Sequence, residues 1–89
     1  MKLQTTRKFD KAYARLTEEN KNRVDDALRL FEKNPFDPSL GNHTLKGKLK
    51  RFRAISAGYD LRLVFQEHGG HVVVLMLNVG THDQAYRTK

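Results

Sequence analysis

His82 and Tyr86 stand four residues apart in VGTHDQAY, near the end of an 89-residue chain, and this pair is the one best suited to moving protons. An imidazole titrates near neutral pH, and a tyrosine one helical turn further on lies on the same side. Gly80 lets the chain turn and Thr81 can cap a short final helix. The same letters also describe an exposed His82-Asp83 pair at a fraying terminus. A second group is cationic: Lys46, Lys48, Lys50, Arg51 and Arg53 fall within eight positions, and Arg62 follows. Guanidinium forks bind phosphate oxygens in pairs, and strands hold them more rigidly than a loop does. Read blandly, the cluster is a solvated basic face. His68 and His71 bracket Gly69-Gly70 as a metal-ligand pair would, but a hairpin turn accounts for them. His43 reads as a loop residue packed near the hairpin rather than a catalyst. No metal and no other cofactor is expected.

These groups need a scaffold. Phe9, Ala12, Tyr13 and Leu16 follow helical spacing after Thr5 or Thr6, and Val24, Ala27, Leu28 and Phe31 repeat it after Thr17. Asn34-Pro35 ends that second helix. The segment PFDPSLGNH, from Pro35 to His43, has no periodicity and reads as a loop. Two alternating runs then predict a hairpin turning at Gly58-Tyr59, which sets Phe52 opposite Phe65, Arg53 opposite Val64 and Ala54 opposite Leu63. That register puts Arg51, Arg53 and Arg62 on one face, away from the helices. HVVVLMLNV is apolar on both pleat faces, as a central strand is, and Lys2 to Thr5 is expected beside it. The expected fold class is α+β: an N-terminal strand and a helical hairpin on a small, mainly antiparallel four-stranded sheet, with a short C-terminal helical turn. Residues 1–89 are expected to form one domain.

Composition narrows the chemistry. Seventeen Lys and Arg against ten Asp and Glu give a net charge of +7, which suits a polyanionic or acidic partner. Having no cysteine, the chain has no disulfide framework and no thiolate chemistry. No run approaches the ~20 apolar residues of a membrane span, and Met1 to Asp10 has no apolar signal core, so a cytoplasmic location is expected. Phosphate-binding glycine loops, HExxH and GxSxG are missing, and no close Asp/Glu pair lies in an apolar context for acid-base work on sugars. The remaining enzyme class is metal-independent attack on a phosphodiester, which needs cations and a proton carrier.

LKGKLKRFRAISAGYDLRLVF and VVVLMLNVGTHDQAY, in the order strand, helix, helix, meander, resemble the RelE/ParE superfamily of bacterial toxin-antitoxin toxins over nearly the whole chain. The resemblance implies a ribosome-dependent endoribonuclease, an mRNA interferase that cuts mRNA in the A site and inhibits translation. It implies a cognate antitoxin partner and a toxin-antitoxin hetero-oligomer. Arg53 matches the basic position of the first hairpin strand, Arg62 the arginine of the following strand, Tyr86 the C-terminal aromatic, and His82 the GTH histidine of the YafQ-like branch. Lys46, Lys48, Lys50 and Arg51 are the implied RNA-binding residues. A ParE-like DNA gyrase inhibitor and an inactive homologue that only binds an antitoxin are the alternatives.

Overall fold

Thr6 and Thr17 each open a helix in the computed structural model, which describes residues 1–87. Strand β1, Lys2–Thr5, leads directly into α1, Arg7–Ala14, and Thr17 then starts α2, Glu18–Lys33. The Thr6 hydroxyl accepts from the Phe9 amide at 3.1 Å, and the Thr17 hydroxyl accepts from the Asn20 amide at 3.1 Å. Each bond satisfies one of the donors that a helix start leaves open. Thr6 also donates to the Leu77 carbonyl at 2.9 Å, which pins the start of α1 to the sheet. The apolar stripes of both helices enter one core with Ile55, Leu63, Phe65, Val74 and Met76. Phe31 and Phe65 meet edge to face at 5.0 Å. Tyr13 donates to Asp25 at 2.7 Å, tying α1 to α2, and that bond leads the causes that raise the Tyr13 pKa.

The sheet has five strands, one more than the sequence suggests. They are β1, β2 (His43–Thr44), β3 (Arg53–Ser56), β4 (Arg62–His68) and β5 (Val73–Gly80), in the order β1-β5-β4-β3-β2. β5 is an interior strand, with β1 parallel on one side and β4 antiparallel on the other. The extra strand, β2, is only two residues long and begins at His43, the last residue of the segment expected to be loop.

The hairpin register differs by one residue from expectation. Arg53 pairs with Phe65, Ala54 with Val64, Ile55 with Leu63 and Ser56 with Arg62. The cause is the turn: the Ala57 amide donates to the Leu61 carbonyl at 2.9 Å, so the loop is wider than a tight turn at Gly58-Tyr59. A one-residue slip reverses which face a side chain takes. Arg53 therefore stands with Phe65 on the helix side, and Arg62 stands with Ala54 and Val64 on the back of the sheet. The shared arginine face does not form.

A second irregularity prepares the back face. Val64 pairs with Asn78 but Phe65 with Met76, so Leu77 is an extra residue in β5. Leu77 joins Leu45, Leu49, Phe52, Ala54, Val64, Ala85 and Tyr86 in a small second core behind the sheet. Val73 and Leu75 remain half-buried there, the remnant of the apolar stripe foreseen for this strand.

Candidate active site

Helix α3, His82–Ala85, is only four residues long and has no stability of its own. Its position is set by three sets of contacts. Thr81 and Gln84 form a reciprocal capping box, with the Thr81 amide donating to Gln84 Oε1 at 3.1 Å and the Gln84 amide donating to Thr81 Oγ1 at 3.4 Å. Ala85 is fully buried in the second core. Asn78, turned under α3 by the bulge and itself buried, donates from Nδ2 to the carbonyls of Gln84 and Ala85 at 2.9 and 3.3 Å. Asn78 thus gives the Ala85 carbonyl a partner from below and adds a second to the Gln84 carbonyl, which also accepts from the Arg87 amide at 3.2 Å.

Opposite α3 the chain passes through β2 into a short 3-10 turn at Gly47–Leu49. Between them lies a hollow of about 340 Å³ lined by His43, Lys46, Leu49, His82 and Tyr86, with Thr44 and Leu45 from β2 and its continuation. The His82 and Tyr86 rings lie 4.3 Å apart, and Asp83 Oδ1 is 3.6 Å from His82 Nδ1. His43 Nδ1 lies 2.8 Å from the Gly41 carbonyl. A carbonyl only accepts, so Nδ1 of the neutral ring carries the proton and Nε2 keeps a free lone pair. Two imidazoles, a phenol and an ammonium therefore converge on one cavity.

A larger hollow, of about 600 Å³, lies on the other side of α3 between Arg7, Lys8 and Lys11 of α1, Arg15 just past its end, and Val79, Gly80 and Gln84. Size does not decide between them. The larger hollow is lined by Lys and Arg and offers no imidazole, whereas the smaller one holds His43 and His82.

The expected site residues separate on this frame. His82, Tyr86 and Lys46 come together, and His43, read from sequence as a loop residue, joins them. Lys48, Lys50 and Arg51 are exposed on the adjoining turn. Arg62 lies on the back face at the start of β4, paired with Gly80, but its Nη1 donates to Ser56 Oγ at 3.2 Å, to the Leu61 carbonyl at 3.0 Å and to the Gly58 carbonyl at 3.4 Å. It braces the hairpin beside the hollow and does not line it. Arg53 is on the opposite face, its guanidinium 5.7 Å over the Phe36 ring and its Nε donating to Asn42. Among the described residues no group of three or more His, Asp or Glu side chains could hold a metal ion. Among the described residues no helix is long and apolar enough to cross a membrane.

With this arrangement in view, the likeness to known proteins becomes specific. A family model described as the bacterial toxin of type II toxin-antitoxin system, YafQ, matches residues 1–87. The chain belongs to the YafQ toxin family. Among solved structures, a copper-bound mutant toxin from Helicobacter pylori is 30% identical, with 93% of this chain and 96% of that chain covered at a TM-score of 0.67. YafQ from E. coli aligns at a TM-score of 0.76 over 91% of this chain and 92% of its own, with 16% identity. The same fold appears in the E. coli DinJ-YafQ toxin-antitoxin complex, with a TM-score of 0.73, 16% identity and 91% of each chain covered. Among curated protein sequences none is a significant match. His43, read from sequence as a loop residue packed near the hairpin, is the residue of this hollow that the sequence did not place beside His82. It stands in the N-H-T-L-K-G run three residues before Lys46, where a two-residue strand is too short to register as alternation.

Proposed function

We propose that this YafQ-family toxin is an endoribonuclease that cleaves mRNA on the ribosome without a metal, by acid-base catalysis between His43 and His82. The observation that carries the reading is the convergence of these two imidazoles on one hollow, with Tyr86 between α3 and the cavity and Lys46 on its rim. In the proposed reaction His43 Nε2 takes the proton of the RNA 2'-hydroxyl as that oxygen bonds to the adjacent phosphorus. Protonated His82, beside the Asp83 carboxylate, gives its proton to the departing 5'-oxygen. The products are a 2',3'-cyclic phosphate and a free 5'-hydroxyl. The two histidines end with their protonation states exchanged, and solvent resets them.

Charge on the phosphorane oxygens would be stabilised by Lys46, with Lys48, Lys50 and Arg51 holding the strand on either side. Arg62 would act at the edge of the same face, through whatever part of its guanidinium the hairpin oxygens leave free. Arg53 has no part in this reaction, because its guanidinium is on the far side of the sheet. The antitoxin seen with YafQ in the solved complex supports a cognate antitoxin for this chain, and hence a toxin-antitoxin hetero-oligomer. The test is cleavage of a message held in the A site of translating ribosomes. Wild-type protein is expected to cut it and to leave 2',3'-cyclic phosphate ends in the presence of a chelator. Uncut message would defeat the proposal.

A further inference from the structure

On the helix side of the sheet, directly behind His43, the Asn42 side chain joins three parts of the chain. Its Oδ1 accepts from Arg53 Nε on β3 at 2.8 Å, its Nδ2 donates to the Pro35 carbonyl at 3.0 Å, and Nδ2 also lies 3.1 Å from Nε2 of His71 in the β4–β5 turn. The directions of these bonds are forced. Arginine only donates, so the amide oxygen faces Arg53 and the NH₂ faces His71. His71 Nε2 must therefore accept, and the ring is neutral with its proton on Nδ1.

His71 is placed to stay neutral. It is buried, with a left-handed φ of 72°, and its ring packs at 5.8, 5.0 and 5.7 Å from Phe31, Phe36 and Phe65. Its Nδ1 is the one buried side-chain polar atom among the described residues without a hydrogen-bond partner. The charged groups facing the ring are Glu67 on β4, whose Oε1 is 3.8 Å from Nδ1 and accepts from the His71 amide at 2.9 Å, and Arg53 on β3. Burial holds the His71 pKa below its usual value; Glu67 opposes this and Arg53 adds to it. An imidazolium at this position would point Nε2–H at the Asn42 NH₂, donor against donor. Turning the amide over would only transfer the conflict to Arg53.

We propose that Asn42 and neutral His71 together are the positioning residues of the site: they hold the two-residue strand β2 from behind and so set His43 in the hollow opposite His82. The pair touches no reacting atom. β2 has only the partners His43–Ala54 and Thr44–Arg53 in the ladder, followed by the Leu45 amide donating to Phe52, so the ladder alone holds it by few bonds. Protonation of His71 releases the anchor and loosens β2. The inference rests on the proposed function only in giving His43 a role there, and its geometry can be tested without cleavage.

The experiment is an NMR titration of the whole protein from pH 8 to pH 5, following the four histidine rings, the Leu45 amide and the Arg53 Nε–H. The Leu45 and Arg53 signals are expected to shift together at the His71 midpoint, below ~6.5, with Leu45 amide exchange accelerating on the order of tenfold beyond its intrinsic pH dependence. Asn42→Asp supplies an acceptor where His71 now meets a donor, so it is expected to move the His71 midpoint to higher pH, which removal of a merely structural contact would not do. Leu45 and Arg53 signals that follow the His43 midpoint, or stay fixed while His71 titrates, would overturn the proposal. A His71 midpoint unchanged by Asn42→Asp would overturn it as well. If RNA is never cut, the proposed function fails while these signals still report whether Asn42 and His71 hold β2.

Discussion

Replacing Asn78 by alanine should loosen α3 without altering any group that lines the hollow. Asn78 Nδ2 donates to the Gln84 and Ala85 carbonyls of α3, at 2.9 and 3.3 Å, and Asn78 Oδ1 lies 3.0 Å from the Val79 amide in the same strand. A net ~1 kcal/mol for each bond to α3 gives about 2 kcal/mol lost from the docked state. At 25 °C that is roughly a 30-fold shift toward the open state. The capping box and buried Ala85 remain, so most molecules should stay docked at any instant. The readout is therefore exchange of the Ala85 amide, which donates to the Thr81 carbonyl at 2.8 Å within α3. It is expected to exchange ~30-fold faster, while the Met76 amide in β5 exchanges as before. Cleavage should fall by less than it does on removing His82, since the proton carrier is still present. An unchanged Ala85 amide would refute the claim that Asn78 holds α3. Equal acceleration at Met76 would mean that the substitution weakens the whole fold instead.

Other consequences can be measured separately. Because burial holds the His71 pKa below its unfolded value near ~6.5, its contribution to stability is complete above that value and is lost as pH falls from there through the lower folded value. The melting temperature should drop across that window in wild type, and a Tm independent of pH between 8 and 5 would count against the buried neutral ring. Alanine at Lys46, Lys48, Lys50 or Arg51 should each flatten the salt dependence of single-stranded RNA binding by ~0.7 per lost phosphate contact, whereas Arg53→Ala should leave that slope alone; the opposite pattern would put the RNA on the helix side. An acidic antitoxin segment is expected to protect the back of the sheet, from Val73 to Leu77 and around Tyr86, in hydrogen exchange of the complex; protection limited to α1 and α2 would exclude that surface.

The helical hairpin was legible from sequence because its stripes are regular and its caps are threonines: Phe9, Ala12, Tyr13 and Leu16, then Val24, Ala27, Leu28 and Phe31, all pack where their spacing puts them. Strand β5 was legible for a related reason, since a run apolar on both pleat faces, as HVVVLMLNV is, needs neighbouring strands on both sides. The hairpin register was not, because Gly58 allows several turn lengths and the extra width from Ala57 to Leu61 is set by packing of Leu61 into the core. That single residue sent Arg53 to the far face. β2 escaped because two residues give no alternation, and the Leu77 bulge escaped because an extra residue in an apolar run leaves no trace in polarity. His82, Tyr86 and Lys46 could be named from residue type and position, while their meeting with His43 depends on β2, on the bulge that turns Asn78 under α3, and on the anchor at Asn42.

The central claim, that His43 and His82 act as one acid-base pair, is tested most directly by single-turnover cleavage of A-site message by wild type, His43→Ala, His82→Ala and the double variant. Each single substitution is expected to slow cleavage by about 10²-fold or more, with the protein still folded. The double variant should lose far less than the product of the two, because both residues serve one step. Full cleavage by either single variant, or intact message alongside inhibition of gyrase supercoiling by the wild type, would contradict it.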